Sequence, residues 1–432
     1  VSTNENEKKQ AAEIQSGLQA TNEFNQPVKG TSLYKDAWRR LKKNKMAIAG
    51  LVVVIIYSLL SLLAPILPIY SYKEQQMNHI HLPPSFGETA GDQMMERKMT
   101  EMTTLAAKEG RVEWTEEDEQ HIEQVVKEAR EKFTDPSSAD GESLTRREKD
   151  AIADAERRIT RERRDIAVEE GRVKLNDEEK AEIEALREQI ANETEIIDGE
   201  EVKIHERKYL FGTDYLGRDM VSRTIWGGQM SIAIGLIGGI TSVFIGLFFG
   251  AIAGYVGGKT DYIIMRIVDI MYSMPYMMLV IILMALFGRS IILMFLALSL
   301  VSWLTVARVV RGQIISLKNS EYVEAARSMG ASSARIIFRH LVPNTFGIII
   351  VYTTLRVPVF IQMEAFLSFL GLGISAPYAS WGSLIGDAVE GMRAYPWRLF
   401  FPAAAMTIFL FAMNFLGDGL RDAFDPQSKN KL

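Results

Sequence analysis

The chain has 432 residues, a formal net charge of −5 and no cysteine, which excludes disulfides, thiol chemistry and cysteine-ligated metal. Its five histidines form no His-Glu-x-x-His arrangement and offer little for a metal site. The mean hydropathy of +0.02 averages two unlike parts. Lys73 to Lys208 holds 23 basic and 37 acidic residues, a net −14, while the remainder carries +9. This is the pattern of a basic membrane protein interrupted by an acidic soluble insert.

Residues 1–32 read as a polar cytoplasmic tail, expected to be disordered. The basic run Trp38-Arg39-Arg40-Leu41-Lys42-Lys43 follows, then an apolar stretch at about 46–68; together they form a segment over 33–70. The stretch can cross a bilayer, which takes about 20 residues. It is too long, and lacks the cleavage-site pattern, for a simple signal peptide. Further spans read at about 230–256, 261–287, 290–309, 345–372 and 398–420. The positive-inside rule places the N-terminus in the cytoplasm, and six crossings return the C-terminus, with Arg421, Lys429 and Lys431, to the same side. The loops with Lys259 and with Arg308, Arg311, Lys318 and Arg327 fall there too. Arg218 and Arg223, near the outer start of the second span, are the exception.

The acidic insert, residues 71–208, is therefore extracytoplasmic. Thr115-x-x-Asp118 forms a capping box, followed by Ile122, Val125, Val126, Ala129 and Phe133 at helical spacing. Thr145-x-x-Glu148 opens a second helix, with Ile152, Ile159, Ile166 and Val173 seven residues apart. Asn176 caps a third, carrying Ile183, Leu186, Ile190 and Ile197. A small helical bundle with one thin apolar seam is expected, either a solvated spacer or a docking surface for an extracellular partner.

The polar, glycine-punctuated stretch Phe211 to Asp219 reads as a compact loop leading into the second span. That span carries Ser231, Gly235 and Gly239, then Gly246, Gly250 and Gly254. Small residues four apart let helix backbones approach closely, so this helix should be central in a bundle and could also pack against a partner subunit. Ala253 to Thr260 imitates a phosphate-binding loop, but Ala253 stands where the pattern needs glycine and the segment follows a membrane helix. Nucleotide binding by this chain is rejected.

Charged residues within spans are costly, hence candidates for function. Arg266 and Asp269 lie three apart on the third span and could form a same-face pair, with a kink at Pro275 just beyond. Arg356 and Glu364 in the fifth span are too far apart to pair. A bond to a neighbouring helix is favoured for Glu364; for Arg356 that reading and an aqueous pathway stay open. After the fifth span, Ser368 to Ala388 suggests a re-entrant or interfacial element on the outer side. No nucleophile–base pair or metal-ligand spacing accompanies these segments, so the chain is not expected to be an enzyme.

Between the fourth and fifth spans, residues 320–344 read as helix–turn–helix. Ser320 and Ser332 suit N-caps, Gly330 suits the residue after a helix end, and Pro343-Asn344 closes the second helix. The paired Ala325 and Ala326 would let the first helix sit deep in a partner's groove. An ordinary amphipathic helix on the membrane surface fits the composition equally well.

Several of these segments, in this order, resemble the C-type permease subunit of oligopeptide/dipeptide ABC importers, within the binding-protein-dependent transport superfamily. EYVEAARSMGAS…RHLVPN from Glu321 is similar to its EAA coupling loop; FGTDYLGRDMVSR from Phe211, WLTVARVVRGQ from Trp303, EAFLSFLGLG from Glu364 and GDGLRDAFDP from Gly417 match the peptide branch. The resemblance covers about 30–70 and a permease core of 209–428. It implies an all-α membrane protein of the type I importer kind, with six transmembrane helices and the insert between the first two. It further implies a bacterial cytoplasmic membrane location, a homologous B-type permease, two ATPase subunits using ATP and Mg, an extracellular solute-binding protein and a peptide cargo, with no cofactor on this chain and no nucleic acid. Glu321, Glu324, Ala325, Ala326 and Gly330 would contact an ATPase. Nickel chelates or another small solute are the alternative cargo; a membrane-anchored coiled-coil scaffold or sensor is the alternative class. The insert departs from the family pattern, and its role is not implied by it.

Overall fold

The computed structural model describes residues 33–133, 145–197, 199–288, 290–374 and 376–424; the tail over 1–32 and the last eight residues lie outside the described residues. In chain order the helices are α1 (Leu33–Lys43), α2 (Lys45–Leu62), α3 (Ala90–Lys108), α4 (Glu116–Glu131), α5 (Arg146–Glu169) and α6 (Asp177–Asn192). Strands β1 (Thr194–Ile197) and β2 (Glu200–Lys203) follow, then α7 (Met220–Val256), α8 (Gly258–Ser273), α9 (Tyr276–Phe287) and α10 (Ile291–Leu317). The remainder comprises α11 (Glu321–Ser328), α12 (Ser333–Ile336), α13 (Val342–Asn344), α14 (Phe346–Phe369), α15 (Trp381–Ala388) and α16 (Trp397–Phe424). The described residues divide into two compact units, one within 33–60, 229–374 and 406–424, the other within 61–228 and 376–405.

Among the described residues five helices, α2, α7, α10, α14 and α16, are long and apolar enough to cross a membrane. The expected third span is not one helix: α8 and α9 meet at 82°. The sequence anticipates a kink at Pro275, and the break is sharper because two constraints coincide. Proline supplies no N–H to the helix ladder, and it drives the preceding residue out of helical geometry; Met274 is extended, at φ −83° and ψ 141°.

In the first unit α7 packs its glycines against two other helices. A side chain at Gly235 would meet Val357 and Ile361 of α14, and one at Gly238 the ring of Phe360. Further along, Gly246, Gly250 and Gly254 face Val306, Ala307 and Ile314 of α10. Among the described residues this face is occupied by the chain's own helices. Val243, Ala251, Val306, Val310 and Ile314 form one buried cluster, which continues into the 320–344 segment through Val323, Ala326, Ile336, Ile337 and Leu341. In a bilayer such a cluster holds helices together by close packing, since lipid tails are as apolar as the side chains.

The second unit contains the acidic insert. It has four helices where the sequence reading has three. The missed one, α3, starts at a capping box of the same kind as the others, Thr89 with Asp92, a signal present in the sequence. All four N-termini carry the box, with Thr115/Asp118, Thr145/Glu148 and Asn176/Glu179 completing the set. Each cap is worth about 1 kcal/mol. The antiparallel pair β1–β2 is a short hairpin within this helical fold. Ile197 lies in β1 rather than continuing α6, and Val173 lies beyond the end of α5 rather than extending its seven-residue repeat.

The insert also contains an internal duplication. Glu109-Gly110-Arg111-Val112 after α3 is repeated as Glu170-Gly171-Arg172-Val173 after α5. Both glycines take positive φ, 85° and 71°, ending their helices by the same pair of reversed backbone hydrogen bonds. The two turns join through an antiparallel bridge, Val112 to Val173. Their arginines cross over reciprocally. Arg111 donates to Glu179 in the cap of α6 (2.7 and 2.5 Å) and to the Lys174 carbonyl (2.9 Å). Arg172 donates to Asp118 in the cap of α4 (2.7 Å) and to the Glu113 carbonyl (2.8 Å). The clasp ties the α3–α4 junction to the α5–α6 junction.

Candidate functional site

The 320–344 segment is ordered by a glycine stop at the end of α11 and a serine cap at the start of α12. Ser320 accepts the amides of Val323 and Glu324 through its carbonyl; its hydroxyl donates back to Leu317 (2.7 Å) and does not cap. Gly330, at φ +80°, ends the helix, with Ala331 donating to the Ala326 carbonyl. The Ser332 side chain caps α12 by accepting from the Arg335 amide. Pro343 does not close the second helix. A π-helical stretch, Ile337–Leu341, carries the chain into α13, where proline occupies the first turn and its missing N–H costs nothing.

The paired alanines separate on folding. Ala326 is 3% exposed and belongs with Val323 to the buried cluster, so it holds α11 onto α7 and α10. Ala325 faces outward with Glu321, Glu324, Arg327 and Gly330. Beside them Met329, 81% exposed, is an apolar tip that the sequence reading did not single out. The segment is thus an exposed knob on a buried base.

The charged residues of the spans pair differently from expectation. Arg266 and Asp269 do not bond to each other: Arg266 donates to the Tyr262 hydroxyl (3.1 Å), while Asp269 accepts from Arg308 of α10 (2.7 Å). Asp261 takes a two-pronged bond from Arg311, at 2.5 and 2.6 Å. The i,i+3 spacing of Arg266 and Asp269 allowed a local pair, but the facing helix offers a guanidinium with better reach. Glu364 is fully buried and accepts from Ser368 one turn on (2.6 Å). Arg356 reaches a cavity of about 290 Å³ at the α8–α9 break, lined also by Tyr272, Met274, Tyr276, Thr305 and Met363. Gly239 lies opposite, and a side chain there would sit 3.7 Å from the Arg356 Cβ.

In the second unit the Phe211–Asp219 segment is held by carboxylates. Asp214 accepts from the Arg218 guanidinium (2.7 Å) and from the amides of Leu216 and Arg218, and pairs with Arg223 (3.3 Å). Asp219 caps the start of α7 through Ser222. Arg218 and Arg223, exceptions to the charge rule, are buried in this cluster and are not membrane-edge anchors. Burial pushes the Asp387 carboxyl up. A polar chain runs from Tyr209 to His79 Nδ1 (2.8 Å), from His79 Nε2 to His205 Nδ1 (2.9 Å), and from His205 Nε2 to Glu193 (2.9 Å). Burial lowers His79 to about 3, reinforced by His205 and Arg207. Glu179 is held at about 2 by the Arg111 hydrogen bonds. Among the described residues no group of three or more metal-ligating side chains is found.

Residues 246–430 match the model of the binding-protein-dependent transport system inner membrane component, and residues 32–84 that of the N-terminal transmembrane domain of oligopeptide transport permease C. The oligopeptide transport system permease protein OppC of Haemophilus influenzae is 50% identical over 224 residues, which is 52% of this chain and 72% of that protein. The dipeptide transport system permease protein DppC of Bacillus subtilis is 47% identical over 218 residues, 50% of this chain and 68% of that protein. Among solved structures, a chain of the inward-facing MetNI methionine ABC transporter is 21% identical with a TM-score of 0.39, covering 47% of this chain and 97% of that chain.

Proposed function

Because this chain belongs to the binding-protein-dependent transport permeases, in their C-type oligopeptide branch, we propose that it carries oligopeptides or dipeptides inward as one half of an ABC importer. The 50% identity to a protein named for oligopeptide transport is the observation that carries this reading. Relatives named for oligopeptide and dipeptide systems favour peptide cargo over nickel chelates. A scaffold role would leave the membrane helices and the exposed 320–344 knob without a purpose.

In this reading both termini are cytoplasmic and a homologous B-type permease completes the pathway. An extracellular binding protein delivers cargo, and two ATPase subunits, which hold the ATP and Mg, each grip one permease. The exposed surface of α11, with Glu321, Glu324, Ala325 and Gly330, is the contact for one ATPase, and Met329 supplies its apolar anchor. Since Val323 and Ala326 pack with Val243, Val306, Val310 and Ile314, movement of the knob passes directly to α7 and α10. Closure of the ATPases then rocks those helices between inward- and outward-facing states.

The test separates the two alanines. Ala325→Arg should leave the melting temperature of the purified permease unchanged while reducing ATPase co-purification and uptake about tenfold or more, as loss of a central interface contact does. Ala326→Arg should instead lower the melting temperature, because it drives a charge into the core. Full ATPase recovery and normal uptake with Ala325→Arg would remove the coupling assignment.

A further inference from the structure

Arg356 differs from the other arginines of the transmembrane helices around it. Arg308 and Arg311 are neutralised by Asp269 and Asp261, and Arg266 is engaged by Tyr262. Among the described residues the Arg356 guanidinium makes no ion pair or hydrogen bond, and it opens onto the 290 Å³ cavity. An uncompensated charge deep in a span is costly, and a ligand of opposite charge would offset that cost.

The cavity walls define that ligand. The phenols of Tyr272 and Tyr276 and the hydroxyl of Thr305 provide neutral hydrogen-bonding groups, while Met274 and Met363 are apolar and adaptable. A guanidinium at the base of such a wall suits a planar carboxylate, which it can bind through two parallel hydrogen bonds. The volume is at the lower limit for a ligand pocket, about 300 Å³, enough for one end of a chain and not a whole oligopeptide. Methionines accept side chains of varied shape, so the site reads a charge and not a sequence. The broken helix matters here: Met274 and Tyr276 flank the 82° bend, and discontinuous helices of this kind build substrate sites in other transporters.

We infer that the Arg356 cavity is a carboxylate subsite on the translocation pathway, holding one carboxylate of the passing peptide against Tyr272, Tyr276 and Thr305. The inference rests on the peptide-import reading above and names the group recognised within it. The C-terminal carboxylate and an acidic side chain offer the same chemistry to the guanidinium.

The experiment uses the complete importer in proteoliposomes, with its binding protein saturated in turn by trialanine, trialanine C-terminal amide, and an amidated peptide containing one glutamate. Uptake by Arg356→Gln is divided by wild-type uptake for each peptide, so any preference of the binding protein cancels. Trialanine uptake should fall about tenfold or more, the worth of one charge-assisted hydrogen bond, with the amide changed less than about twofold and Arg356→Lys, which keeps the charge but not the two-pronged geometry, falling between Arg356→Gln and wild type. A selective fall for the glutamate peptide alone assigns the site to side-chain carboxylates and equally supports a carboxylate subsite. Equal losses for all three peptides, or no loss for any, overturn the inference. Val359→Glu, which places a carboxylate one turn from Arg356 on the cavity wall, gives a second variant that adds no unpaired charge; it should show the same selective loss. If the wild-type importer moves none of the peptides, the peptide reading fails, and that outcome is distinct from equal losses in a working importer.

Discussion

Gly250 lies where α7 meets α10. Its spacing with Gly246 and Gly254 marks a face that needs close approach, yet only the structure names what approaches. A Cβ there would lie 2.5 Å from the Ala307 carbonyl oxygen, and backbone cannot swing aside. Gly250→Ala is expected to destabilise the solubilised permease by about 1–3 kcal/mol, as overpacking does, despite alanine's better helix propensity. Gly312 meets nothing within 4 Å, so Gly312→Ala should leave stability unchanged or raise it by up to about 1 kcal/mol. Thermal melting of the two variants side by side checks this; an equal response would mean that the α7–α10 crossing is looser than described. Ala325 and Ala326 carry the same lesson. Adjacent alanines look equivalent in sequence, but a helix turns about 100° between neighbours, which places one in the core and the other in solvent.

Among the elements, helix starts were the most legible part. The boxes at Thr115, Thr145 and Asn176 are local, since cap and helix lie within four residues of each other. The hairpin β1–β2 was missed although Asp198-Gly199 in the sequence is a hairpin signal. The His79–His205 chain was also hidden, its members lying far apart in sequence. That chain makes the element pH-sensitive with a definite sign. Because His79 sits near 3 when folded against an ordinary 6.5, the unfolded state binds more protons between these values, and stability falls as pH drops below about 6.5. Asp387, pushed up by burial, works in the opposite direction, so the comparison needs a variant. Proteolysis of the insert in the full chain should accelerate between pH 7 and 5 in the wild type. In His79→Gln, which cannot take up that proton, the acceleration should be weaker; identical pH profiles would contradict the assignment.

At the scale of the whole molecule, the insert is an addition whose ends lie together. The Ala90 amide donates to the Arg207 carbonyl (2.7 Å), and a side chain on Gly91 would sit 3.3 Å from the His205 carbonyl. Replacing 92–203 by a short Gly-Ser bridge should therefore close without strain and leave co-purification with the other importer subunits intact. Uptake is expected to fall through a higher half-saturating concentration of binding protein; unchanged kinetics would make the insert a spacer. By itself the sequence determined the apolar spans, the acidic interruption, the capped helices of the insert and the helix–turn–helix at 320–344. Hydropathy and caps act over one window of chain, so one sequence suffices to read them. Only the tertiary structure decided that Asp269 and Asp261 bind Arg308 and Arg311, that α7 spends its glycines on α10 and α14, and that Arg356 faces a cavity at a broken helix. Those outcomes depend on which side chains meet across helices, and helical periodicity fixes a residue's face without fixing what stands opposite it.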